Sequence, residues 1–178
     1  ANAKVALEGT LAGGRLKLDE TKDTIRFAAT PALVAELKNA GMLKLPEDNK
    51  ALSIAQAATL TVDLKQFDVP LNRDLLKTAK IGLTAAIDRV EPTGDARLQG
   101  ASIETLLVTI PNVTLDQPLN VTLGGKLKQG AQSGNLAGAA TLRHLFDKDK
   151  EKQVSGNITI TDAPTALVDA LGSQGGFL

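Results

Sequence analysis

Apolar and polar residues alternate along most of the chain with a period of two. Leu60, Val62 and Leu64 alternate with Thr61 and Asp63, and Ile81 and Leu83 alternate with Gly82 and Thr84, with Ile87 in phase. Leu106, Val108 and Ile110 repeat the pattern, as do Val121 and Leu123 after Leu119, and Ile158 and Ile160 near the end. Val5, Leu7, Leu11, Leu16, Leu18, Ile25 and Phe27 open the chain in the same way. Side chains of a strand point alternately to its two faces, so this period predicts strands with one aliphatic and one polar face. Threonine fills the polar positions, in keeping with its β propensity.

Turn signals separate the runs: Gly13-Gly14, Asp19 to Asp23, Pro92 to Asp95, Gly124-Gly125, Gln129-Gly130 and Asp147 to Lys150. Short connections between strands imply antiparallel hairpins in a meander. After Ile110 the apolar phase shifts to Val113 and Leu115. Pro111 lies at the shift and cannot donate to a ladder, so a bulge is expected there. Two segments read as short helices. Thr30 suits an N-cap, Pro31 the first turn and Gly41 the stop of one; Asp162 to Gly172 repeats the recipe with Pro164. The two read equally as an internal repeat of strand plus helix or as a chance likeness. A third short helix is expected from Asn72 to Thr78.

The chain has 178 residues, enough for one domain with a sizeable core. Its 20 basic and 20 acidic residues cancel, so no bulk field draws it to nucleic acid or to an anionic membrane surface. Four Phe, no Trp and no Tyr leave few aromatic faces on which bases or sugars could stack. With no Cys, disulfides and thiolate metal sites are excluded. No apolar run reaches the length of a membrane-spanning helix. The chain begins at Ala1 without Met and stops soon after an apparent helix, which reads as a single module, residues 1–178, taken from a longer protein.

Little in the sequence points to catalysis or to a cofactor. A triad would have to use the one histidine, His144, which sits at a strand end with no nucleophile elbow in the chain. A histidine without a task is the simpler reading. The acidic clusters Asp19-Glu20, Glu47-Asp48 and Asp147-x-Asp149 do not match a calcium loop and read as solvated turns. Gly124-Gly125-Lys126 lacks the remaining residues of a phosphate loop, and it and Gly13-Gly14 read as hairpin turns. Three Asn-x-Thr sequons, at Asn112, Asn120 and Asn157, permit glycosylation, but Asn and Thr two apart also simply share the polar face of a strand.

The aliphatic faces therefore carry the functional expectation. Such a face must be covered by a second sheet, by helices or by a ligand. The two clear helices are short, so a closed β-sandwich and an open apolar groove both remain. A groove of branched aliphatics suits acyl chains, because each buried methylene contributes roughly 0.8 kcal/mol and no polar code is needed. The residues expected to line it are Leu60, Val62, Leu64, Ile81, Leu83, Ile87, Leu106, Val108, Ile110, Val121, Leu123, Ile158 and Ile160.

The stretches Leu7 to Leu16, Val121 to Leu127 and Gly134 to Leu142, and the strand with a Pro-initiated helix from Ile158 to Leu171, resemble AsmA/TamB-like proteins of Gram-negative envelopes. The resemblance implies a mostly β fold: an antiparallel meander curled into a taco-like groove or half-barrel with two short helices. It further implies a non-catalytic periplasmic module, held at the inner membrane by a segment outside this sequence. Its role would be lipid transport or outer-membrane biogenesis. The implied partners are a phospholipid or other acyl-chain ligand, neighbouring modules of the same chain and an outer-membrane protein. The other expectation is a structural or adhesive β-sandwich domain of a secreted or surface protein.

Overall fold

A computed structural model describes residues 3–41, 51–145, 150–165 and 169. The described residues form twelve strands: β1 (Ala3–Val5), β2 (Gly9–Ala12), β3 (Arg15–Leu18), β4 (Thr21–Ala29), β5 (Ser53–Ile54), β6 (Ala58–Pro70), β7 (Lys80–Val90), β8 (Pro92–Thr93), β9 (Ala101–Thr114), β10 (Leu119–Gln129), β11 (Gln132–Arg143) and β12 (Gln153–Thr161). Ten strands make one sheet in the order β1-β4-β6-β7-β9-β10-β11-β12, with β3 also paired to β6 and β2 paired to β3. Every pairing is antiparallel. The fold is thus the mostly β meander that the period of two implies. Among the described residues β1 and β12 remain apart as its two edges, so the sheet is not a closed barrel. Among the described residues the only other sheet is the small β5–β8 ladder. The facing layer that a sandwich requires is absent among the described residues.

β6 is long enough to be shared. Its first part pairs with β4 and its last four residues pair with β3, Arg15 standing opposite Pro70 and Leu18 opposite Phe67. Where β4 leaves the ladder, between Thr21 and Ile25, the buried Thr24 hydroxyl accepts from Leu64 N at 3.1 Å and donates to Thr21 O at 2.9 Å. The hydroxyl supplies the partner that a backbone carbonyl supplies elsewhere, since a buried N–H without one is costly.

Bulges bend the strands at three further places. The shift expected at Pro111 is present: Ile81 pairs with Val113 and Leu83 with Ile110, so β9 carries one extra residue there. A second extra residue lies in β6 at Lys65, between the pairs Leu64–Leu83 and Gln66–Gly82. The third is in β9 beside Thr105, whose φ is 54°. It lies against Gly124-Gly125, which corrects the sequence expectation. These glycines are not a hairpin turn but interior residues of β10, opposite Ala137 and Leu136. Their role is close approach: a Cβ on Gly125 would sit 3.4 Å from Leu106 Cδ1. The Asp19–Asp23 turn is also shorter than expected, because β4 begins at Thr21.

Of the turn expected from Pro92 to Asp95, Pro92–Thr93 instead form β8, whereas two glycine turns hold. Gly13 and Gly14, at φ 56° and 69°, form the two-residue β2–β3 hairpin, and Gly130 at 60° opens the β10–β11 hairpin. Helix α1 (Pro31–Asn39) begins as anticipated, with Thr30 Oγ1 accepting from Leu33 N at 3.2 Å. The segment after Asn72 is a 3-10 turn, Arg73–Thr78. Of the second expected helix, Thr165 and Asp169 are helical, and most of the remainder lies outside the described residues, as do 147–149 of the last expected turn.

The core is small and sits at one end of the sheet. Leu98 and Ala101 close over Leu127, which is wholly buried, with Leu52, Ile103, Leu136, Ile160 and Ala163 around them. The β5–β8 ladder and a 3-10 turn, Ala96–Leu98, lie at this end, and Lys38 Nζ of α1 donates to Leu52 O. At the other end Arg15 ties β3 to β6 and to the Arg73–Thr78 turn. Its guanidinium donates to Asp68 Oδ1 at 2.5 Å, Thr78 Oγ1 at 3.1 Å and Thr78 O at 3.0 Å. Outside that cluster, the described apolar residues that are buried are few: Ala58, Leu64 and Ala79.

Candidate apolar site on one face of the sheet

Directly opposed residues in a sheet point to the same side, so the register fixes which side chains share a face. One row of opposed residues crosses eight strands: Val5, Ile25, Val62, Ala85, Val108, Leu123, Gly138 and Ile158. Beside it run Phe27, Leu60, Ile87 and Leu106, and on its other side Leu64, Leu83 and Ile110. Ile81 lies opposite Phe67 and Val113, Val121 opposite Ala140, and Ile160 opposite Leu136. All thirteen residues expected from the sequence thus lie on one face of one sheet.

The opposite face is richer in polar residues, although Ala86, Leu107 and Ala137 also lie on it. A parallel row there reads Asp63, Thr84, Thr109, Thr122, Ala139 and Asn157. Two of the sequon asparagines, Asn120 and Asn157, belong to this face with their threonines Thr122 and Thr159. Thr141 Oγ1 donates to Asn120 Oδ1 at 2.8 Å. Asn112 sits at the Pro111 bulge, its Oδ1 over the hydrogen that Gly82 carries in place of a side chain.

The apolar face is unevenly covered. Leu64 is buried, at 8 % exposure, and Ile160 packs on the cluster around Leu127, so the protein already covers these two of the thirteen. Ten others are half-buried. Ile158 is 56 % exposed, and Ile25 and Val154 on the same face are 38 % and 72 % exposed.

The face is indented at β10–β12, where an open trough of about 340 Å³ is lined mainly by Val121, Leu123, Gly138, Ala140, Val154, Gly156 and Ile158. Its walls are aliphatic and its floor is made by small residues. Gly138 lies between Leu123 and Ile158, and Ala140 between Val121 and Gly156. The volume lies toward the low end of ligand sites, roughly 300–1,000 Å³. Three expected residues, Val121, Leu123 and Ile158, line this trough. Sequence reading missed Val154, Gly138, Ala140 and Gly156, since it looked for large aliphatics. The available signal was the small residues at alternate positions of β11 and β12, opposite large ones.

A second cavity, about 540 Å³, lies at the end of the sheet among Arg89, Glu91, Thr93, Asp95, Gln99 and Ala101. It is larger and more polar, but its acids are engaged. Arg89 Nη2 lies 2.6 Å from Glu91 Oε1 and Arg97 Nη2 lies 2.5 Å from Asp95 Oδ2. Hydrogen bonds from the Arg97 side chain and backbone hold the Asp95 carboxyl below its ordinary value. A paired, ionised carboxylate is poorly placed for proton transfer. His144 follows the last residue of β11 with φ 57° and lines neither cavity. Among the described residues no group of three or more His, Asp or Glu could hold a metal ion, and every buried side-chain polar atom has a hydrogen-bond partner. No helix among them is long and apolar enough to cross a membrane. No protein-family model, curated protein or solved structure matches this chain.

Proposed function

We propose that the chain is a non-catalytic module whose apolar sheet face accommodates lipid acyl chains. The observation that carries this reading is the apolar row from Val5 to Ile158, interrupted only by Gly138, which no second layer covers among the described residues. Leaving such a face in water is unfavourable at roughly 25 cal/mol per Å². An acyl chain relieves that cost with dispersion contacts alone, and the trough between Leu123 and Ile158 offers it a seat. A curled, taco-like sheet fits the four strand pairings whose register shifts, because bulges bend strands and increase twist. In keeping with the AsmA/TamB-like resemblance, the ligand is a phospholipid and the setting the periplasm, in envelope lipid transport or outer-membrane biogenesis. Neighbouring modules and an outer-membrane protein are the partners in that reading.

The test is native mass spectrometry of gently purified protein, with Leu83→Asp and Val108→Asp as comparisons. The expected result is co-purifying phospholipid on the parent chain and none on either variant, with strand content unchanged by circular dichroism. A parent chain that carries no lipid, and takes up a fluorescent fatty acid no better than the variants do, overturns the proposal.

A further inference from the structure

Strand β12 is an edge without the usual defences. Among the described residues it pairs with β11 alone, and eight of its nine residues are exposed. Gln153 to Thr161 contain no charge, no proline and no bulge, the devices by which edge strands avoid pairing with other chains. Among the described residues nothing pairs with its outer side, and its alternation is clean: Val154, Gly156, Ile158 and Ile160 on the apolar face, Ser155, Asn157 and Thr159 on the polar one. The opposite edge of the sheet differs. It is broken into the short strands β1 and β2 and carries Lys4 and Glu8.

We infer that β12 pairs with β12 of a second copy of this chain, antiparallel, about a twofold axis normal to the sheet. Such an axis makes the strand antiparallel to itself and keeps both apolar faces on the same side. Centred on Asn157, the register places Val154 opposite Ile160 of the second copy, Gly156 opposite Ile158 and Ser155 opposite Thr159. Each pair then matches apolar with apolar or polar with polar, and no charge meets a like charge. The contact is isologous and closes at two copies, whereas pairing β12 with the β1–β2 edge would propagate without limit. A nine-residue strand pair buries less than the roughly 1,600 Å² of a standard interface, so the dimer is expected to be reversible at micromolar concentrations. The inference does not rest on the lipid reading.

The chain has no cysteine, which gives a direct test of the register. In the twofold pairing Asn157 faces its own copy, with Cα atoms about 4.5–5.5 Å apart and so within disulfide reach. Asn157→Cys is expected to form a covalent dimer under mild oxidation, faster at higher protein concentration. Asn120→Cys, on the same polar face but within the sheet, is expected to stay monomeric. Sedimentation velocity of the unmodified chain should show a monomer–dimer equilibrium. Ile158→Lys should weaken that equilibrium roughly tenfold or more by placing a charge in the edge. Three results overturn the inference: a monomer at every concentration, equal cross-linking of the two cysteine variants, or open-ended growth beyond the dimer.

Discussion

Leu123 and Ile158 face each other across Gly138, and the side chain that Gly138 lacks is the gap between them. A Cβ added there would meet Leu123 Cβ at 3.4 Å and Ile158 Cγ1 at 3.5 Å, ordinary packing distances, and Asn157 O at a tighter 3.3 Å. Gly138 has no positive φ. A β-branched residue therefore fits its backbone and gains strand propensity. Gly138→Val is expected to fold with a melting temperature within a few degrees of the parent, yet to fill the trough floor. Uptake of a fluorescent fatty acid, titrated on both proteins, should fall several-fold. Unchanged uptake would place the ligand elsewhere on the face.

How far this face was legible depends on what preserves alternation. The thirteen aliphatic positions could be read because a period of two survives along each strand, and register then carries it across strands. The Pro111 bulge was readable from its phase shift. The Thr105 bulge has a comparable signal, Ile103 to Leu106 spaced by three, but the glycines opposite it drew the reading toward a turn. Glycine permits both a hairpin and a bent strand, and only the long-range partner, β11, decides between them. The pairing of β3 with the end of β6 and the burial of Thr24 depend on residues about 40 to 55 positions apart, which local pattern does not encode.

Thr24 gives a prediction about that long-range join. Its hydroxyl both accepts from Leu64 N and donates to Thr21 O. Thr24→Val keeps the shape and removes the hydroxyl, leaving the Leu64 N–H unsatisfied. The expected loss is about 1–3 kcal/mol, read from urea unfolding. Thr24→Ser retains the bonds and should lose less, only the methyl packing.

Two aliphatic truncations separate core from open face. Leu127 is wholly buried beneath Leu98 and Ala101, so Leu127→Ala should cost about 2–5 kcal/mol. Val121 is half-buried at the trough wall and makes no contribution to that cluster. Val121→Ala should cost about 1 kcal/mol or less while lowering fatty-acid uptake. Comparable losses of stability at both positions would mean that the face is packed as a core after all.

Glu104 makes the acid response of the bulge testable. Lys128 Nζ lies 2.7 Å from Glu104 Oε2 on the neighbouring strand. The hydrogen bond from Lys128 holds the carboxyl below its ordinary value of 4.5, aided by the charges of Lys128, Arg89 and Lys126. A carboxyl depressed in the folded state contributes stability that is present above the unfolded value and lost as pH falls through the folded one. Glu104→Gln should therefore lower the urea midpoint near neutral pH, and the gap between parent and variant should close as pH drops below the ordinary carboxylate range. The pair is open to solvent on its Lys128 side, so the gap should also shrink in high salt. A gap that persists after pH has fallen through the depressed titration of the folded carboxyl would trace the effect to packing at the bulge rather than to charge.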